Sequence, residues 1–213
     1  MKPSTTVTIY FDYLCPYAFR ASRLINEIEQ TRPEVAVTWR FFSIEQTNAQ
    51  KYGRNEDWNL WEQPLDYDQL WRSRRRRGLV PFLMTHAVQL QNPARLPMFR
   101  LAVFDAFHND HADISSPAVL LELAGQCGLN VDALRPAWDT PAARQRLRDD
   151  IETGLGEGVF GVPTLSINDS EPTYMRLSQF PTDPAERQTL FDELTHTLTE
   201  RPYLLELKQA AAG

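Results

Sequence analysis

Cys15 is the residue of this chain best placed to do chemistry. It stands in Asp12-Tyr13-Leu14-Cys15-Pro16-Tyr17-Ala18, between a run that reads as a β-strand and a run that reads as a helix. A thiol reacts as its thiolate. The unpaired N–H groups and the positive dipole end of a helix start favour that anion and lower the thiol pKa. Pro16 suits the first helical turn and adds no competing donor. Tyr13 and Tyr17 flank the thiol; each can donate a hydrogen bond to a thiolate or a bound substrate, and each can equally pack against neighbouring helices. Asp12 either raises the thiol pKa with its charge or caps backbone donors in the turn. A cysteine in apolar surroundings is also commonly just a small buried side chain.

A second feature lies far along the chain, in Gly158-Val159-Phe160-Gly161-Val162-Pro163-Thr164. Pro163 directly precedes a strand-like run. Proline inside a central strand forfeits a ladder bond, so a turn, an edge or a cis peptide bond is expected there. A cis Val162–Pro163 bond would leave neighbouring backbone groups free to pair with an extended substrate. A plain loop-to-strand turn is the alternative.

The elements that must position these residues follow from pattern. Val7 to Phe11 is β-branched and aromatic and predicts a short buried strand. Phe19, Leu24, Ile25 and Ile28 recur at helical spacing until Arg32-Pro33 stops them. Val35 to Phe42 predicts a second strand, and strand-helix-strand implies a parallel crossover. From Ser43 to Gly128 only helical stretches appear: Asp66 to Arg76, Phe82 to Gln91, Arg95 to His108 and Pro117 to Gly128. A further helix is predicted from Pro141 to Gly154 with Thr140 as cap. Phe160 to Ile167 and Thr173 to Leu177 read as antiparallel strands across an Asn-Asp-Ser turn. A last helix runs from Pro184 to Glu200 behind Asp183, with Glu186 as capping-box partner.

Composition sets the class. With 213 residues, 42% apolar and 23% charged, the chain is long enough for a real core and has none of the bias of disordered or repeat proteins. Its net charge of −6 disfavours nonspecific attraction to nucleic acid. No apolar span reaches membrane length and the N-terminus has no leader pattern, so cytoplasmic residence without membrane or nucleic-acid partners is expected. Cys15 and Cys127 match neither a disulfide framework nor a metal site. The four histidines have no ligand spacing, and no metal is expected.

Taken together, the strand, the Cys-Pro-Tyr-Ala helix start, the helical middle and Gly-Val-Phe-Gly-Val-Pro-Thr resemble the DsbA-like branch of the thioredoxin superfamily. That branch is similar in fold to 2-hydroxychromene-2-carboxylate isomerases and kappa-class glutathione transferases. The resemblance covers nearly the whole chain. It implies an α/β thioredoxin fold with a large all-helical insertion: residues 1–43 and 140–205 would form the thioredoxin-like domain and residues 44–139 the insertion. It also implies Cys15 as nucleophile, Pro163 as the cis-proline facing it, and Pro16, Tyr17, Tyr13, Val162 and Thr164 as residues around the thiol and its substrate.

The chain departs from the dithiol members at Ala18, where a second, resolving cysteine would stand. A mixed disulfide on Cys15 must then be resolved by an outside thiol or by Cys127. Cys127 reads as packing near a helix end. The leading expectation is a monothiol thiol-disulfide oxidoreductase using a low-molecular-weight thiol (glutathione, mycothiol or bacillithiol) as co-substrate, with small-molecule or protein thiols as partners. A glutathione-dependent isomerase or transferase and a non-catalytic binding protein are the alternatives. Oligomeric state is left open, a homodimer included. The run Trp71 to Arg77 could grip substrate carboxylates or be solvated helix surface. The aromatics Trp58, Trp61, Tyr67, Trp71, Phe82, Phe99, Phe104 and Phe107 could line a groove, though core packing explains most of them.

Overall fold

The computed structural model describes residues 4–51, 58–65 and 77–204. The helix expected over 66–76, with Tyr67, Trp71 and the arginines before Arg77, lies outside the described residues.

The chain enters through β1, Thr5–Phe11, whose Val7, Ile9, Tyr10 and Phe11 are buried. Helix α1, Pro16–Thr31, carries it over the sheet to β2, Val35–Phe41, which lies parallel to β1 from Thr5 opposite Val35 to Phe11 opposite Phe41. Two strands return late in the chain. β3, Thr164–Ile167, runs antiparallel to β1, and β4, Thr173–Tyr174, antiparallel to β3, giving the sheet order β2-β1-β3-β4. Asn168 and Asp169, both at positive φ, turn the chain between β3 and β4. Short polar side chains tolerate that region better than others do.

Among the described residues, the stretch between β2 and β3 is helical. It comprises α2 (Ile44–Lys51), a 3-10 turn at Leu60–Glu62, α3 (Leu79–Gln91), a second 3-10 turn at Pro93–Arg95, α4 (Leu96–His108), α5 (Pro117–Gln126), α6 (Val131–Leu134) and α7 (Pro141–Gly156). Helix α8, Pro184–Glu200, closes the fold, with Asp183 accepting from the Ala185 N–H. Thr140 caps α7 through the Ala143 N–H, as its sequence predicts. The sheet separates two apolar clusters. Val7, Ile9, Leu24, Ile25, Ile28, Leu165, Ile167 and Phe191 unite α1 and α8 with the sheet. Tyr10, Phe11, Tyr13, Phe82, Phe99 and Phe104 unite the strand ends with α3 and α4.

Three local expectations change. The strand expected from Phe160 begins only at Thr164, because Pro163 has no N–H to give the ladder. β4 ends at Tyr174 rather than Leu177, since its partner β3 starts at Thr164, opposite Tyr174. Helix α2 escapes pattern reading because Gln46 is its sole buried residue, leaving no apolar stripe to find.

Candidate active site

β1 stops at Phe11, and a tight turn replaces it. The Asp12 carbonyl accepts from the Cys15 N–H at 3.1 Å, and Asp12 Oδ1 accepts from the Leu14 N–H at 2.9 Å. This turn delivers Cys15 as the residue capping α1, with Pro16 at the first helical position. Cys15 is 5% exposed, and its Sγ donates to the Val162 carbonyl oxygen at 3.2 Å. The Val162–Pro163 peptide bond is cis. Thr164 anchors the same loop, its Oγ1 donating to the Gly161 carbonyl at 2.7 Å and its backbone opening β3 opposite Tyr10. The fold thus brings residues 15 and 162 together across 147 positions.

The helix start alone would make Cys15 an acidic thiol, but burial outweighs it and the thiol pKa lies above its ordinary value. The backbone N–H groups of Ala18 and Tyr17 pull it down, Asp12 pushes it up, and Arg176 pulls it down again. Ala18, in the place of a second thiol, is fully buried.

Asp12 serves in both of its expected ways. Its Oδ2 also accepts from the Ile44 N–H at 2.7 Å, so it caps the start of α2 while its charge bears on Cys15. Burial raises its pKa to about 6. Next to it Glu45 is pushed up to about 7, by burial first and by the Asp12 charge among the smaller causes. Glu45 in turn accepts from the N–H groups of Arg77 and Gly78, each at 3.0 Å, just before α3. Two carboxylates, Asp12 fully buried and Glu45 partly so, therefore tie the Cys15 turn to the beginnings of α2 and α3.

The two tyrosines part company. Tyr13 is fully buried, its ring 4.7 Å from Phe104, and its hydroxyl donates to Thr85 Oγ1 at 2.7 Å while Thr85 donates to the Pro81 carbonyl. It points into the helical layer, not toward a substrate. Tyr17 stays half-buried on the first turn of α1, where its hydroxyl accepts from Arg176 and its ring lies 4.1 Å under that guanidinium. Pro16 is exposed beside it.

His108 had no motif to announce it. Its Nε2 lies 2.8 Å from the Tyr13 carbonyl, so Nε2 carries the proton, and its ring stacks on Phe19 at 5.2 Å. Burial lowers its pKa. It braces the Cys15 turn from α4. Phe82, Phe99 and Phe104 are core, whereas Phe160 in the proline loop is 69% exposed, 5.3 Å from Tyr174. Cys127 is buried at the end of α5, near Arg95. Arg77, the described end of the basic run, lies over Phe107. Among the described residues no group of His, Cys, Asp or Glu is arranged to hold a metal ion.

With this geometry in hand, comparison with known proteins is specific. The family described as DSBA-like thioredoxin domain matches residues 6–184. A Mycobacterium tuberculosis protein described as uncharacterized protein Rv2286c is 28% identical over 164 residues, covering 77% of this chain; the chain spans only 65% of that relative's length. Among solved structures, the cytosolic disulfide reductase DsbM from Pseudomonas aeruginosa with GSH aligns with a TM-score of 0.59 at 19% identity, over 89% of this chain and 98% of that one. A 2-hydroxychromene-2-carboxylate isomerase aligns with a TM-score of 0.59 at 15% identity, over 95% of this chain and all of that one (100%). At these identities the structures share the fold.

Proposed function

The chain belongs to the DsbA-like thioredoxin domain family, and we propose that it is a thiol-disulfide oxidoreductase working through Cys15 alone, with a low-molecular-weight thiol as co-substrate. The observation that carries this reading is the lone thiol at the α1 start, against the Val162–Pro163 loop, with Ala18 where a second thiol would have to be. The exchange balances without a second protein cysteine. Cys15 thiolate attacks the small-thiol sulfur of a disulfide P–S–S–R, the Cys15–S–S–R bond forms, and P–S⁻ leaves and takes up a proton. A second R–S⁻ then attacks the R sulfur, R–S–S–R departs, and Cys15 is regenerated as thiolate. Glutathione, mycothiol and bacillithiol all have the chemistry for R, and either small molecules or proteins can supply P. Tyr17, Pro16, Val162, Pro163 and Thr164 would border the substrate. A reducing cytoplasm suits an enzyme whose two cysteines are both free.

One observation favours a second reading. The resting Cys15 is a protonated thiol that donates to the Val162 carbonyl, and such a group can bind a cofactor thiol without exchanging with it. An isomerase or transferase using glutathione would work this way. Substitution separates the two. In the oxidoreductase, Cys15→Ser abolishes small-thiol-dependent reduction of a mixed disulfide, and mass spectrometry of the Cys127→Ala protein shows one R adduct on Cys15. Retained thiol-dependent activity in Cys15→Ser, with no adduct in its parent, would establish the second reading instead.

A further inference from the structure

The pairing that builds the proline loop also sets a cation at the mouth of the site. β4 places Tyr174 opposite Thr164, and the Met175 N–H donates to the Pro163 carbonyl at 3.0 Å. Arg176 is the next residue. Its guanidinium donates to the Tyr17 hydroxyl and lies over the Tyr17 ring, two positions from the thiol. Arg20, one turn further along α1, approaches the other way: its Nη1 donates to the Leu177 carbonyl at 3.2 Å and its Cζ is 5.7 Å from the Tyr17 ring. Among the described residues neither arginine has a carboxylate partner. In a chain of net charge −6, two unpaired guanidinium groups around one tyrosine are a local reversal of the overall charge. On the same loop and strand, exposed Phe160 sets its ring 5.3 Å from that of Tyr174, and the two make an apolar wall.

We infer that Arg176, steadied by Tyr17, makes this site select thiols and disulfides carrying a carboxylate near the sulfur over neutral and cationic ones. This specificity rests on the reading of Cys15 as the reacting thiol. A guanidinium holds a carboxylate through paired N–H donors. Arg176 has donors left after the Tyr17 bond, and aromatic stacking limits the orientations it samples. The substrate body would lie along Phe160 and Tyr174 while its acidic end meets Arg176, leaving its sulfur toward Cys15.

The test uses two reagents of nearly equal size. In the Cys127→Ala protein, Cys15 Sγ displaces iodide from iodoacetate (anionic) and from iodoacetamide (neutral), and the ratio of the two rate constants is divided by the same ratio for a free small thiol. A shift in thiol pKa moves both rates alike, so the ratio reads recognition of charge and not thiol activation. The parent ratio is expected above one. It should fall about three- to tenfold in Arg176→Gln, the range for one partly screened charge, stay partly preserved in Arg176→Lys, and decline with added salt. A ratio unchanged in Arg176→Gln would overturn the inference. Oxidised glutathione, cystamine and 2-hydroxyethyl disulfide then separate the two levels of the argument. If the alkylation ratio responds to Arg176 but no disulfide modifies Cys15, the redox reading fails and anion selection stands. If all three disulfides modify Cys15 with the same relative rates in parent and Arg176→Gln, selection fails and the redox reading stands.

Discussion

Burial and the helix start act on Cys15 in opposite directions, and Asp12 sits where it can tip the balance. Its carboxyl loses its proton at about pH 6, so across the range in which a thiol ionises Asp12 is already an anion and opposes a second one nearby. Asp12→Asn removes that charge while the Tyr17 and Ala18 N–H groups remain. Cys15 should therefore ionise at lower pH. In the Cys127→Ala background, iodoacetamide should modify Cys15 faster at pH 7 in Asp12→Asn than in its parent, with the midpoint of the pH-rate curve moved down. A midpoint that stays put or rises would show that Asp12 acts only as a cap. The variant also loses an acceptor, because an amide offers one oxygen where the carboxylate serves both Leu14 and Ile44. A stability loss of about 1–3 kcal/mol is expected from the buried donor left unpaired.

At the scale of elements, α7 helps join the helical layer to the sheet, packing against both α3 and β2. Gly154 lets it come close: a Cβ there would stand 2.9 Å from Tyr10 Cε1 and 2.9 Å from Phe42 Cδ2. Both rings are buried, so neither has room to yield. Gly154→Ala should cost about 1–3 kcal/mol by overpacking, less the helix propensity gained. Gly156→Ala, with nothing within 4 Å, should be neutral or stabilise by up to about 1 kcal/mol. Urea denaturation of both proteins checks the pair, and equal effects would mean that the Gly154 approach has slack. The helix itself was legible, because Thr140-Pro141 marks its start and its apolar residues keep helical spacing. Its close approach was not, since which rings face a glycine depends on how two layers dock. The candidate site divides in the same way. Cys15, Pro16 and Pro163 are visible in sequence because each breaks a local pattern. Glu45 and His108 do their work through hydrogen bonds to distant backbone groups, which leave no periodicity behind. Tyr13, although part of the reactive turn, buries its ring in the packing around Phe104.

Across the whole molecule, protons link the layers. Asp12 and Glu45 connect the end of β1 to the starts of α2 and α3, and both hold their protons to higher pH in the folded chain than in the unfolded one. A carboxyl with a raised folded pKa binds more protons folded than unfolded between its two pKa values, so its contribution to stability falls as pH rises through that window and is constant above it. Asp150, raised mainly by burial, acts in the same sense. His86 and His108, both lowered by burial, act in the opposite sense, because the unfolded chain binds their protons below about pH 6.5. The total profile mixes these signs, and a difference between two proteins isolates one group. Glu45→Gln removes the Glu45 titration and leaves an oxygen for one of the Arg77 and Gly78 N–H groups. Near pH 5 wild-type Glu45 is protonated when folded, and the glutamine is at its greatest relative disadvantage. By pH 8 the wild type holds a partly buried anion beside Asp12 and the glutamine does not. The stability of Glu45→Gln relative to wild type should thus improve between pH 5 and pH 8, by an amount on the order of 2 kcal/mol, read from urea midpoints at each pH. A gap that does not change with pH would mean that Glu45 ionises in the folded protein as it does in the unfolded chain, and that the two carboxylates hold the helix starts without storing a proton between them.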